Sequence, residues 1–145
     1  MQRMPLIPIL AALIAGGAQG RSEVPATREQ QVERFVAASS RQDVDEMVYL
    51  VSDDVEWLSV DDGAVTVAAH GKPALRARMA RQFASCPGCR TTLTGVTATT
   101  DRVAAVESVA GSDTGPRAQR RMVVYEFAGP LIRRVYHFPV ERPAP

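Results

Sequence analysis

The sequence predicts an α+β domain in which helices come early and antiparallel strands fill most of the second half. Three observations predict it: two apolar patterns with helical spacing, alternating apolar and polar residues in later segments, and turns rich in glycine and proline between those segments. With 145 residues, of which 46% are hydrophobic and 23% charged, the chain is long enough for one domain with a hydrophobic core.

Two capping patterns predict the first two helices. Thr27 and Gln30 form a capping box ahead of apolar residues at helical spacing, which predicts a helix over about Arg28–Ser40. Asp43 and Glu46 repeat the signal and predict a second helix directly after the first. Because the connection between them is so short, we expect the two helices to pack against each other.

A third helix and a series of strands follow. The helix is predicted from Pro73, a residue that favours the first helical turn, and its apolar face carries Leu75, Met79 and Phe83. The remaining segments alternate as strands do, and Asp62-Gly63 is a typical hairpin turn between two of them. We expect strands at 55–60, Ala64–Ala69, Thr91–Thr99, Arg102–Ala110, Arg117–Phe127 and Leu131–Phe138.

Residues 1–20 have the pattern of a secretory signal peptide. Arg3 precedes an apolar run over Leu6–Ala15, and small residues at Ala18 and Gly20 suit a signal peptidase. A transmembrane anchor is the alternative, but it needs about 18 or more apolar residues, and this run is shorter and contains Pro8. We therefore expect a signal peptide at 1–20, one domain at 21–140 and a loose tail at 141–145, in a periplasmic or secreted protein.

The charges argue against one class of partner. The 17 Lys and Arg residues against 16 Asp and Glu residues give a net charge of +1, which provides no broad basic field for nucleic acid or an anionic membrane. We expect no nucleic-acid partner and no membrane contact after removal of the signal. The sequence contains no glycine-rich phosphate loop and no clustered acidic metal set, so no cofactor and no metal ion are expected.

Cys86 and Cys89 flank a Pro-Gly pair directly after the third helix. This spacing also occurs in redox sites and in halves of zinc sites. A redox site favours the first cysteine at a helix N-terminus, and a zinc site needs two further ligands at suitable spacing. In an exported chain the simplest prediction is a Cys86–Cys89 disulfide that closes the turn into the next strand.

Three segments together indicate a family: 51–57 (VSDDVEW), the turn 70–75 (HGKPAL), and the closing hairpin 125–134 (YEFAGPLIRR). Their order, with the helices and strands above, resembles the SnoaL-like and ketosteroid-isomerase-like members of the nuclear transport factor 2-like superfamily over about Thr27 to Val140. The resemblance implies three helices packed on a strongly curved, mixed, mainly antiparallel sheet of about six strands. This cone-shaped barrel often holds a small apolar molecule, but its activities are so diverse that function must be argued from the site.

Pairing across the closing hairpin predicts the pocket wall. Centring the turn on Gly129-Pro130 places Val124 opposite Val135 and Met122 opposite His137, all on one face of the sheet. The resemblance turns this face of the last strand, and part of the first strand, toward the inside of the cone. The predicted ligand pocket consists of Trp57, Ser59, Met122, Val124, Val135 and His137.

The same register predicts an aromatic outer face. Tyr125, Phe127, Tyr136 and Phe138 would then form an exposed patch on the last two strands. Such a patch needs a partner, and dimers are common in the superfamily that the chain resembles. We therefore expect a homodimer.

His137 and Glu107 are the candidate catalytic residues. His137 has an imidazole suited to proton transfer near neutral pH, and Glu107 interrupts an otherwise apolar strand face, where a carboxylate can act as a general base. The alternatives are a structural strand histidine and an exposed glutamate paired with an arginine such as Arg120. His70 is expected at the pocket rim. The aspartate base of ketosteroid isomerases corresponds by resemblance to Ser59, and a serine cannot replace it unaided.

These observations favour an exported SnoaL-like protein that binds a small, mostly apolar molecule. The alternative is an isomerase, dehydratase or hydrolase that uses His137 with Glu107. A catalyst needs at least two polar groups that converge in one cavity, whereas a binding protein needs only one.

The expected signal peptide gives a first test. The mature chain is expected to begin near Arg21, because the small residues of the cleavage site follow a short apolar run. N-terminal sequencing of the protein recovered from the host's extracytoplasmic fraction checks it. An intact Met1 would contradict both the signal and the compartment.

Overall fold

The computed structural model describes residues 25–111 and 118–138, in which three helices pack on a six-stranded sheet. The expected signal peptide, the 141–145 tail and the expected strand start at Arg117 lie outside these residues. The elements are α1 (Arg28–Ser40), α2 (Val44–Tyr49), β1 (Val51–Asp61), β2 (Ala64–His70), α3 (Lys72–Ser85), β3 (Arg90–Ala98), β4 (Arg102–Ala110), β5 (Gln119–Ala128) and β6 (Leu131–His137).

The sheet is mixed and open. Its strand order is β2-β1-β6-β5-β4-β3, and every neighbouring pair is antiparallel except β1 with β6. Helix α1 packs against β3 and β4, and α3 packs against β1 and β2. The predicted fold class is therefore confirmed, with a sheet that curves without closing.

The helix caps form as the sequence predicts. The Thr27 hydroxyl accepts a hydrogen bond from the Gln30 backbone at 3.2 Å, and the Gln30 side chain accepts one from the Thr27 backbone at 2.9 Å. The Asp43 carboxylate caps α2 by accepting from the Glu46 backbone at 3.0 Å. Helix α2 is only six residues long. Directly after it, the Leu50 carbonyl accepts a hydrogen bond from the Ile132 backbone of β6 at 3.1 Å.

The core lies between the helices and the concave face of the sheet. Phe35 of α1 is its centre, with its ring 6.4 Å from Trp57 of β1 and 5.8 Å from Tyr125 of β5. Met47 of α2 and Leu75 of α3 are also fully buried against this face. Burial of these large apolar side chains is the main force that holds helices and sheet together.

The expected register of the closing hairpin is wrong. Ala128 pairs with Leu131 as predicted, but Glu126 pairs with Arg134, because a bulge leaves Arg133 as an extra residue in β6. Since side chains alternate along a strand, a shift of one residue exchanges the two faces of β5 relative to β6.

As a result Val123 and Tyr125 turn inward, and Met122 and Val124 do not. Val123 is 0% exposed and Tyr125 1%, whereas Met122 is 45% exposed and Val124 is half-buried. The aromatic patch that predicted a dimer is therefore wrong as well. Tyr125 and Phe127 are buried in the core, and the dimer itself stays a prediction without that surface.

The predicted Cys86–Cys89 disulfide is confirmed, with a Cα–Cα distance of 5.4 Å. It closes the turn between α3 and β3, and the Gln42 side chain donates a hydrogen bond to the Cys86 carbonyl at 2.9 Å. A side chain at Gly111 would bring its Cβ within 2.7 Å of Cys89 Sγ, so only glycine fits beside the disulfide. Within the described part of the chain, no helix is both long and apolar enough to cross a membrane.

The register can be tested with two neighbouring valines. Val123→Ala is expected to lower the free energy of unfolding by about 2 kcal/mol, because it leaves a cavity in the hydrophobic core. Val124→Ala removes the same atoms from the half-buried face and should cost less than about 1 kcal/mol. Urea denaturation of both variants measures the difference, and a larger loss for Val124→Ala would restore the register without a bulge.

Candidate functional site

A cavity of about 370 Å³ opens between α3 and one end of β1 and β6. Strand β1 supplies the longest part of its wall, α3 covers it, and the end of β6 forms its far side. The lining residues are Trp57, Ser59, Val60, Asp61, Arg78, Gln82, Arg121, His137 and Phe138. The wall is thus apolar and aromatic in part, with two guanidinium groups and one imidazole.

Trp57 and His137 are stacked in this wall. The parallel pairing of β1 with β6 places Trp57 beside Val135 and Ser59 beside His137. The Trp57 and His137 ring centroids lie 4.3 Å apart with an angle of 30° between the planes. Phe35 lies on the core side of the indole, with its ring centroid 6.4 Å from that of Trp57.

The surroundings of His137 keep its imidazole neutral. Neither ring nitrogen contacts solvent or has a hydrogen-bond partner among the described residues. Burial, together with the smaller effect of the positive charges of Arg121 and Arg78, lowers the pKa of His137 to about 3. The Leu58 backbone acts in the opposite direction, but its effect is smaller.

Glu107 is buried beside the cavity, and both of its carboxylate oxygens accept hydrogen bonds. It is 2% exposed, and its Oε2 accepts hydrogen bonds from Arg121 Nε at 3.0 Å and Nη2 at 2.8 Å. Its Oε1 accepts a hydrogen bond from the Tyr125 hydroxyl. Burial and the nearby Glu107 hold the pKa of Tyr125 well above its usual range, so the hydroxyl keeps its proton.

Arg78 of α3 is the cavity's unpaired cation. Its Nε has no solvent contact and no hydrogen-bond partner within residues 25–111 and 118–138. Burial lowers the pKa of Arg78, and the charges of Arg81 and Arg121 lower it further. Asp61 also lines the cavity, but its side chain is exposed and forms no ion pair with Arg78.

The structure brings together some of the predicted site residues and separates others. Trp57, Ser59 and His137 line the cavity, and Val135 is buried beside Trp57. The prediction is wrong for Met122 and Val124, because the hairpin bulge places both on the other face of the sheet. The predicted rim residue, His70, is exposed, lies 3.8 Å from Glu56 and does not line the cavity.

Sequence reasoning missed six lining residues: Val60, Asp61, Arg78, Gln82, Arg121 and Phe138. A signal existed for two of them. Arg78 and Gln82 are spaced i, i+4, and each lies three residues after a residue of the apolar stripe, Leu75 or Met79. Their side chains therefore border the buried face of α3. In the described segments, no three His, Cys, Asp or Glu side chains converge as a metal site would require.

Comparison with known proteins identifies the family. The sequence profile of the SnoaL-like domain matches residues 32–135, most of the described chain. The chain belongs to the SnoaL-like domain family. No curated protein matches it.

Solved structures share the SnoaL-like fold. An uncharacterised cystatin-fold protein of Novosphingobium aromaticivorans is 26% identical, with a TM-score of 0.63 over 74% of this chain and 93% of that one. A protein of Catenulispora acidiphila with a ketosteroid isomerase-like fold, in complex with trimethylamine, is 19% identical, with a TM-score of 0.66 over 79% and 88%. A protein of Sinorhizobium meliloti, provisionally named a polyketide cyclase, is 17% identical, with a TM-score of 0.61 over 74% and 92%.

Protonation of His137 is expected to destabilise the protein in weak acid. Its pKa of about 3 in the folded state lies below the roughly 6.5 of an unfolded chain, so only the unfolded state binds a proton between these values. Its contribution to stability is complete above pH 6.5 and is lost as the pH falls, by up to about 1.4 kcal/mol per pH unit.

Equilibrium unfolding at pH 7 and pH 4.5 measures this contribution against His137→Phe, which keeps a ring beside Trp57 but cannot titrate. The difference in stability between wild type and variant should shrink or reverse at the lower pH. His70→Gln, which changes an exposed histidine, is the control and should follow the wild type. The same pH dependence in wild type and His137→Phe would contradict a buried, neutral His137.

Proposed function

We propose that this SnoaL-like protein binds a small, mostly apolar molecule in the cavity beside the Trp57–His137 stack. The cavity itself carries the proposal: its volume of about 370 Å³ lies within the roughly 300–1,000 Å³ of small-molecule sites. Trp57 and Phe138 provide apolar surface, and a few polar groups can orient a ligand. The trimethylamine complex of the Catenulispora protein shows that a related fold accommodates a small molecule.

The chemistry of the site favours binding over catalysis. Proton transfer is most efficient when the pKa of the catalytic group lies near the working pH, and the His137 pKa of about 3 makes its imidazole a weak base. Both carboxylate oxygens of Glu107 are already occupied by Arg121 and Tyr125. An isomerase, dehydratase or hydrolase that uses His137 with Glu107 is therefore the less supported alternative, despite the neighbours' names.

We also propose that the protein works outside the cytoplasm. The Cys86–Cys89 disulfide supports this, because such bonds persist mainly in oxidising compartments. The expected signal peptide lies outside the described residues, so the proposal rests on the disulfide and on the sequence pattern together.

Binding can be tested with the neutral fluorescent probe N-phenylnaphthylamine. Trp57 is the single tryptophan of the chain, so a probe in the cavity should quench its emission and emit by energy transfer from it. Ser59→Phe should weaken this binding at least about tenfold by filling the cavity, a change of about 1.4 kcal/mol. Far-UV circular dichroism verifies that the variant folds.

Met122→Phe is the matched control, because it adds the same ring on the other face of the sheet. It should bind the probe as the wild type does. If the probe does not quench Trp57, or if Ser59→Phe and Met122→Phe behave alike, the cavity is not a binding site.

A further inference from the structure

Arg78 lacks the partner that a comparable arginine on the same helix has. Arg76 Nη1 lies 2.6 Å from Asp45 Oδ1, in an exposed ion pair between α3 and α2. Arg78, two residues later, is half-buried, and its Nε has neither contact with water nor a hydrogen-bond acceptor in the described structure. Because an unsatisfied buried donor is unfavourable, Arg78 Nε favours a ligand acceptor, which the described residues do not supply.

The charged side chains around the cavity also have an excess of positive charge. Arg121 and Arg78 both line the cavity. Arg78 also lines a neighbouring open groove, together with Arg81. These guanidinium groups are close enough to lower the pKa of Arg78 by mutual repulsion, in addition to the effect of burial. Glu107 offsets only Arg121, and the other carboxylate, Asp61, is exposed.

Arg121 can contribute to an anion site without breaking its own ion pair. Its Nε and Nη2 donate to Glu107, and Tyr125 holds the other oxygen of that carboxylate. This arrangement fixes the guanidinium plane and occupies Nε and Nη2. Nη1 remains as a donor for a ligand.

We propose that the ligand is an apolar, ring-containing molecule with one carboxylate, which Arg78 binds with help from Arg121. This inference rests on the proposed function, because it concerns the same cavity. Guanidinium binds a carboxylate through paired, charge-assisted hydrogen bonds, and Trp57 and Phe138 contact the apolar body. Arg78 and Gln82 both lie beyond the first turn of α3, so the backbone donors at the positive end of the helix are not beside them and a phosphate would lack those donors.

The proposal is tested by displacement of N-phenylnaphthylamine with two probes of the same shape. Naphthalene carboxylate carries a charge, and naphthalene carboxamide does not. The carboxylate is expected to displace the probe at about tenfold lower concentration than the amide. Arg78→Gln should abolish this preference by weakening the carboxylate about tenfold and the amide less than about twofold.

Two further variants separate charge from structure. Arg76→Gln removes the same charge from the same helix outside the cavity, and should keep the preference. Arg78→Lys keeps the charge, and should keep a measurable preference. If Arg78→Gln keeps the preference, or if Arg76→Gln loses it as completely as Arg78→Gln, the guanidinium of Arg78 is not its source and the proposal is overturned.

The outcomes distinguish this inference from the proposed function. If N-phenylnaphthylamine binds next to Trp57 but the two naphthalene probes displace it equally, only the carboxylate assignment is wrong. The same holds if Arg78→Gln weakens both probes equally. If N-phenylnaphthylamine does not bind, the proposed function is wrong and the inference fails with it.

Discussion

The parallel pairing of β1 with β6 is the constraint on which the rest of the structure depends. It joins the first strand of the chain to the last one, and it sets Ser59 beside His137 and Trp57 beside Val135. The indole–imidazole stack follows directly from this register. Helix α3 packs against β1, so the same pairing also determines which helix covers the stack. The cavity is therefore built from segments that are far apart in sequence.

Helix caps and strand alternation predicted the helices and strands well, because these signals depend on residues that are close together in the sequence. The capping box at Thr27 and the N-cap at Asp43 start α1 and α2 where predicted, and β4 has the predicted bounds. The placement of Trp57 and His137 came instead from the family resemblance, since no local pattern reveals a parallel pair of distant strands. Physically, the alternation along β1 shows two faces without showing which one meets the helices.

The register of the closing hairpin could not be predicted, because two neighbouring arginines compete for one glutamate. Glu126 finds an ion-pair partner in either register, with Arg133 if the hairpin is regular and with Arg134 if β6 is bulged. In the structure Arg134 contacts Glu126 at 2.7 Å and Glu56 of β1 at 2.6 Å, so the bulged register joins three strands. It also buries Tyr125, whose hydroxyl then reaches Glu107. Only these tertiary contacts distinguish the two registers.

The surroundings of His137 favour ligand binding over proton transfer. A bound carboxylate would offset the repulsion of Arg78 and Arg121 and thereby raise the pKa of His137. Burial, however, is the largest cause of the low pKa, and a ligand that fills the cavity removes more water from the ring. The imidazole thus stays neutral in the complex as well. A neutral, stacked histidine contributes shape and an apolar surface, and in the proposed complex Arg78 supplies the charged recognition.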